Sequence, residues 1–300
     1  MKTARYLPLL LCLPFGHALA DTPIQLQHVA TSTARISISN VAGEVHVTAW
    51  DRNEVQVGGQ LGDGAKPLAI TGSDDNLSIK VQPQGGGGWF DWGDSNHMGA
   101  TTLDVRVPRG ATLHVNVVSA PLAIDGTRGG TLKLNSISGR VRVNAQTPSL
   151  DVDSVSGGIA FSGHADRADL QTVSGDILAP SLGDDARLQT VSGHIQVSGG
   201  PWKHFKLGTV SGDATISGNL AANGQINIDS MSGDIDLRLP AGLSGSIHAS
   251  TFSGDLHSDF GTPTSSAHGP GSALDTTVGD GRGTIKVETF SGDLRIRKQG

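Results

Sequence analysis

The chain has 300 residues, of which 42 are glycine and only 4% are aromatic, and it carries a formal net charge of −6. That acidic balance argues against nucleic acid or an anionic lipid surface as an electrostatic partner, and glycine without a G-X-Y period excludes collagen. Abundant Gly, Ser, Thr, Val and Ile with few helix-favouring runs point to short strands and many turns.

Residues 1–20 read as a secretory signal. Lys2 and Arg5 form a basic front, Leu7 to Phe15 is an apolar core too short to span a bilayer, and Ala18-Leu19-Ala20 is an A-x-A cleavage site. The only cysteine, Cys12, lies inside this segment, and Leu11 before it is too large for a lipidation motif. Removing the segment takes away Lys2 and Arg5 and moves the net charge from −6 to −8. The expected product is exported, periplasmic or at the cell surface, with no disulfide and no further run long enough to cross a membrane. Its length suffices to bury its own core.

From 21 to 121 the pattern is strand-like but irregular, as the N-terminal part of the same solenoid. Ile36-Ser37-Ile38 alternates, and Asn40-Val41-Ala42-Gly43-Glu44-Val45 is a degenerate copy of a phrase that recurs later. Leu77 to Val81 and Leu103 to Val107 continue the period of two, the latter stopping at Pro108-Arg109-Gly110. Between them, four glycines at 85–88 precede Trp89, Phe90, Asp91 and Trp92. Consecutive glycines lose too much backbone entropy to hold a strand, so this is expected to be a loop. Its aromatics are the candidate ligand contact, suited to stacking on sugars or to an interface; the alternative is that they cover an open edge.

From 122 to 300 the period is regular. A phrase of the form Ser/Thr-apolar-Ser-Gly-x-apolar has its glycines at 139, 157, 175, 193, 212, 233, 254 and 292, with spacings of 18, 18, 18, 19, 21, 21 and 38. A repeat of about twenty residues marks a solenoid. Each repeat has one alternating strand before the phrase and one after it, and nothing that could form a crossover helix. The predicted fold is therefore all-β, a parallel β-helix with rungs of 18–21 residues, right-handed because the short hexad of the left-handed form is absent. The spacing of 38 is expected to be one rung with a loop insertion at about 258–283, rich in Gly, Ser, Thr and Pro. A solenoid needs covered ends. The chain stops on Leu294-Arg295-Ile296-Arg297-Lys298 without a capping helix, so those basic residues are expected to discourage end-to-end stacking or to mark a docking point.

Parity assigns the phrase its roles. Leu132, Leu134 and Ser136 share the core face, so the first hydroxyl should point inward and the glycine should bend the chain. Ile137, Val155, Val173, Val191, Val210, Met231, Phe252 and Phe290 fall on the opposite parity. Strictly extended they would form an outward apolar stripe, of the kind that marks a contact surface. The expectation is that the corner rotates them inward. Asp176, Asp213, Asp234, Asp255 and Asp293 follow the glycine. Stacked carboxylates such as Asp213, Asp234 and Asp255 would suit a cation, but Arg140, Gly158 and His194 interrupt the row, and turn chemistry is the expected role.

No residue set points to catalysis. The ten histidines after the signal show no metal-binding spacing, each phrase serine is one of a series, and there is neither a nucleophile elbow nor a Walker loop. No cofactor or metal is implied, and nothing assigns the chain an oligomeric state.

Asn40-Val41-Ala42-Gly43-Glu44-Val45, Leu103 to Gly110 and the repeated Val-Ser-Gly-Asp-Ile resemble the bacterial "putative adhesin" domain family of unknown function, from about Ile36 to Arg297. The resemblance implies a β-helix and an envelope setting, and brings no catalytic residues. The functional expectation is a non-catalytic envelope module that binds protein or glycan. The alternatives are a structural or envelope-stress component acting by protein–protein contact and a polysaccharide-active β-helix enzyme.

Overall fold

The computed structural model describes residues 22–84, 98–265 and 271–299. The signal segment and the aromatic run Trp89, Phe90, Asp91 and Trp92 lie outside them. All regular structure among the described residues is strand.

The repeats stack in parallel as a β-solenoid. Val141 pairs with Ile159, Ile159 with Ile177, and Ile177 with Ile195, each one repeat further along the chain. The first strands stack in the same way, with Leu150 on Ala168 and Leu170 on Leu188. Alternation then does what the pattern requires. Leu132, Leu134, Leu150, Val152, Ile226 and Ile228 point into a continuous dry core, joined by Val141, Ile159, Ile177 and Ile195 from the second strands. Each such side chain contributes roughly 1.5–3 kcal/mol of burial. Trp202 and Phe205 are the bulkiest fill, their ring centroids 4.3 Å apart.

Corners are held by two repeating devices. The first hydroxyl is buried in every phrase, as parity demands. Ser136 Oγ donates to the Gly139 carbonyl (2.8 Å) and accepts the Gly139 N–H (3.1 Å), and Ser154 repeats this with Gly157. Thr172 and Thr209 accept the N–H of Gly175 and Gly212. The glycine is there because the corners nest. A Cβ on Gly175 would overlap the Gly157 carbonyl oxygen, and one on Gly157 would overlap that of Gly139.

Chain order and spatial order diverge at both ends. Arg35–Trp50 lies between Asn76–Lys80 with Thr101–Pro108 on one side and Thr112–Ser119 with Leu122–Arg128 on the other. The C-terminal rung, Gly283–Ser291 with Leu294–Gln299, slots between Ala214–Ser232 with Ile235–Pro240 and the earlier rung Gly245–Ser253 with Leu256–Ser258. The basic terminus Leu294 to Lys298 is thus internal to the stack, not its end. The residues behind the spacing of 38 include Ser272–Val278, which runs antiparallel along Gly245–Ser253 and covers it. At the other end Ile70–Ser73 covers Asn76–Lys80, and Glu54–Leu61 covers Thr101–Pro108, both antiparallel. Antiparallel strands therefore cover rungs at both ends.

Gly175→Ala is expected to lower stability by at least about 2 kcal/mol, as overpacking against backbone does. Gly242→Ala, where an added Cβ meets nothing, should stay within about 0.5 kcal/mol; urea midpoints of the two variants test the pair. Deleting residues 284–300 should free 241–283 for rapid proteolysis while rungs 132–240 stay protected. Limited proteolysis with mass mapping reads this out, and uniform protection would refute the interleaved order.

Candidate functional site

The eight apolar residues at the centre of the phrase point outward. Ile137, Val155, Val173, Val191, Val210, Met231, Phe252 and Phe290 are 43% to 60% exposed, which corrects the expectation that the corner turns them in. The outward parity of the preceding strand carries through this residue, although in five of the eight phrases the strand itself ends one residue earlier. Backbone pairing fixes the geometry: Ser156 N–H donates to the Ile137 carbonyl, Ser174 N–H to that of Val155, and Ser211 N–H to that of Val191. The serine hydroxyls of 156 and 211 reach the same acceptors, at 3.1 and 3.2 Å.

One such residue per rung, at about 4.8 Å per rung, makes a row about 34 Å long. Its side chains grow from valine to Met231, Phe290 and Phe252. The two phenylalanines are far apart in sequence, yet the interleaved terminal rung stacks their rings 4.9 Å apart and within 9° of parallel. The row forms one side of an open groove of about 1080 Å³ running from Asp153 to Phe252. A shallower continuation carries it past Ile137 to Val118. The opposite wall is the outward residue two places earlier in each rung: Asp153, Gln171, Gln189, Gly208, Asp229, Glu288 and Ser250. The Asp153 carboxyl is held above its ordinary range, first by burial and then by the neighbouring charges of Asp151 and Asp169.

Four of the aspartates after the glycine accept a backbone N–H from the neighbouring corner. Asp176 Oδ1 accepts the His194 N–H (2.8 Å), Asp213 that of Asp234 (2.9 Å), Asp234 that of Asp293 (2.9 Å), and Asp293 that of Asp255 (3.1 Å). Asp213 and Asp234 are neighbours, but Asp293 separates Asp234 from Asp255. Arg295 lies against Asp293 (2.8 Å) and Asp234 (3.5 Å). Among the described residues no group of three His, Cys, Asp or Glu side chains could hold a metal ion.

Residues 33–297 match the Toastrack DUF4097 family model, nearly the whole chain. The chain belongs to the Toastrack DUF4097 family. Solved structures resemble it at low identity, one of them with a TM-score above 0.5. A "putative adhesin" from Parabacteroides merdae is 12% identical, with a TM-score of 0.51, covering 92% of this chain and 99% of that one. A second "putative adhesin", from Bacteroides fragilis, is 14% identical with a TM-score of 0.41 over 93% and 98% of the two chains. A "putative lipid binding protein" from Parabacteroides distasonis is also 14% identical, with a TM-score of 0.41 over 93% and 97%. No curated protein matches the sequence.

Within this Toastrack chain, parity located the apolar row but not the wall facing it. Gln171, Gln189, Lys206, Asp229 and Glu288 fall two or four positions before the apolar residue, so the same period of two could have found them.

If the aspartates serve the turn, Asp234→Asn, which keeps an acceptor for the Asp293 N–H, should stay within about 0.5 kcal/mol of the parent, and Asp234→Ala should lose roughly 1 kcal/mol. Thermal melts of both, with and without Ca²⁺, check this; a Ca²⁺-dependent rise in the parent that Asp234→Ala removes would restore the cation reading.

Proposed function

We propose that this Toastrack chain is an exported, non-catalytic module of the cell envelope, periplasmic or at the cell surface, and that the groove along the apolar row is its contact surface. The observation that carries this is the unbroken row of eight outward apolar side chains. Soluble chains scatter single exposed apolar residues, whereas a contiguous row with a polar wall marks a binding site. Each rung spends a sequence position on it, and none of these residues is needed to fill the core. The described part of the groove offers no nucleophile paired to a base and no metal cluster, so binding is the reading its chemistry supports. The right-handed winding, the cleaved leader at 1–20 and a second contact through Trp89, Phe90, Asp91 and Trp92 belong to the same proposal.

The reading is tested by placing a photo-crosslinking amino acid at Val191, in the row, and at Gln196, exposed on the second strand outside it. In intact cells adducts are expected from position 191 and not from 196, and they should diminish when Phe252 and Phe290 are changed to serine. Equal labelling from both positions would sink the assignment of the groove.

A further inference from the structure

What lies in the groove is constrained by its own shape and polarity. A peptide strand gains affinity from main-chain hydrogen bonds at an open sheet edge. Here the backbone along the apolar row is already paired from rung to rung, as with Ser211 N–H to Val191 and Ser232 N–H to Val210. A second copy of the chain needs area. The row is one residue wide, about 7 Å by 34 Å, so two rows face to face bury about 480 Å². That is well below the roughly 1,200 Å² of a stable interface. A narrow apolar chain that asks for no hydrogen bonds along its length meets neither obstacle.

The wall of the groove has one gap. Between Gln189 and Asp229 stands Gly208, with no side chain. The fold does not call for glycine at this position. Its φ is outside the left-handed region, and an added Cβ would meet only the end of the Gln189 side chain, at 3.8 Å. Directly behind the gap on the same outer face, Arg187 and Lys206 are register partners in adjacent strands. Neither forms an ion pair among the described residues, whereas Lys133, Lys203 and Lys286 each do. Acidic groups flank the pair one rung away on each side, Asp169 in register with Arg187 and Asp229 in register with Gly208, and Asp153 and Glu288 stand further along the groove. The centre is therefore the stretch of this groove where two cations without an ion pair among the described residues stand side by side. The acidic net charge disfavours an anionic bilayer as a whole and does not bear on a single carboxylate at this spot.

We propose that the groove binds a long-chain aliphatic carboxylate, its head group held by Arg187 and Lys206 through the notch at Gly208 and its chain lying along Val210, Met231, Phe290 and Phe252. The span from Val210 to Phe252 is three rungs, about 14 Å, and it is the most apolar part of the row. This inference rests on the groove being the contact surface.

Calorimetric titration with dodecanoate, below its micelle-forming concentration, tests it on the mature chain. Saturable binding is expected. Gly208→Gln, which restores the wall, should weaken it at least tenfold with an unchanged melting midpoint. Lys206→Glu should weaken dodecanoate by a similar factor and leave dodecyltrimethylammonium unaffected or tighter. The Phe252→Ser/Phe290→Ser double variant should weaken both. Absence of saturable binding to the parent, or binding that all three variants leave unchanged, would overturn the proposal. So would self-association by sedimentation that the double phenylalanine variant abolishes, since the occupant would then be a second copy. Failure with dodecanoate while the Val191 crosslinks persist would remove the carboxylate and keep the groove; loss of both would remove the groove as well.

Discussion

Everything in this chain hangs on how closely one corner can sit on the next. Parallel strands stack about 4.8 Å apart, and a corner keeps that spacing only if nothing projects between successive turns. Glycine meets the condition because its missing Cβ leaves room for the carbonyl oxygen of the rung below. The hydroxyl three residues earlier then satisfies buried polar groups that the bend would otherwise strand, as Ser136 and Ser154 do for both the N–H and the carbonyl of their glycines. The aspartate after the glycine ties one corner to the next. A single six-residue phrase thus carries inward, upward and outward contacts at once.

The outward contact is where scaffold becomes surface. The residue two places before the glycine keeps the outward parity of the strand that precedes it and faces solvent. Repetition turns one exposed valine, which would mean nothing, into a groove side. The absence of a need for these residues in the core, which Leu150, Leu170 and Leu188 already fill, is what gives the row functional content.

Ends are the weak points of any solenoid, since an open rung invites pairing with another molecule. This protein covers rungs at both ends with antiparallel strands and also interleaves the order of its end rungs. The interleaving also sets the order of the apolar row at that end, placing Phe290 between Met231 and Phe252.

Much was legible from the sequence because the constraints are local and repeated. Alternation of Leu132, Leu134 and Ser136 determined which face is core, and the glycine spacing determined that rungs stack in parallel. Tertiary structure alone decided two things. One was the direction of Val155, Val173 and their counterparts, since parity allowed outward and corner rotation allowed inward, and only the folded corner separates these. The other was neighbourhood: sequence spacing measures distance along the chain, and when a late strand inserts between earlier ones, as 284–299 does, Met231 gains Phe290 and not Phe252 as its neighbour.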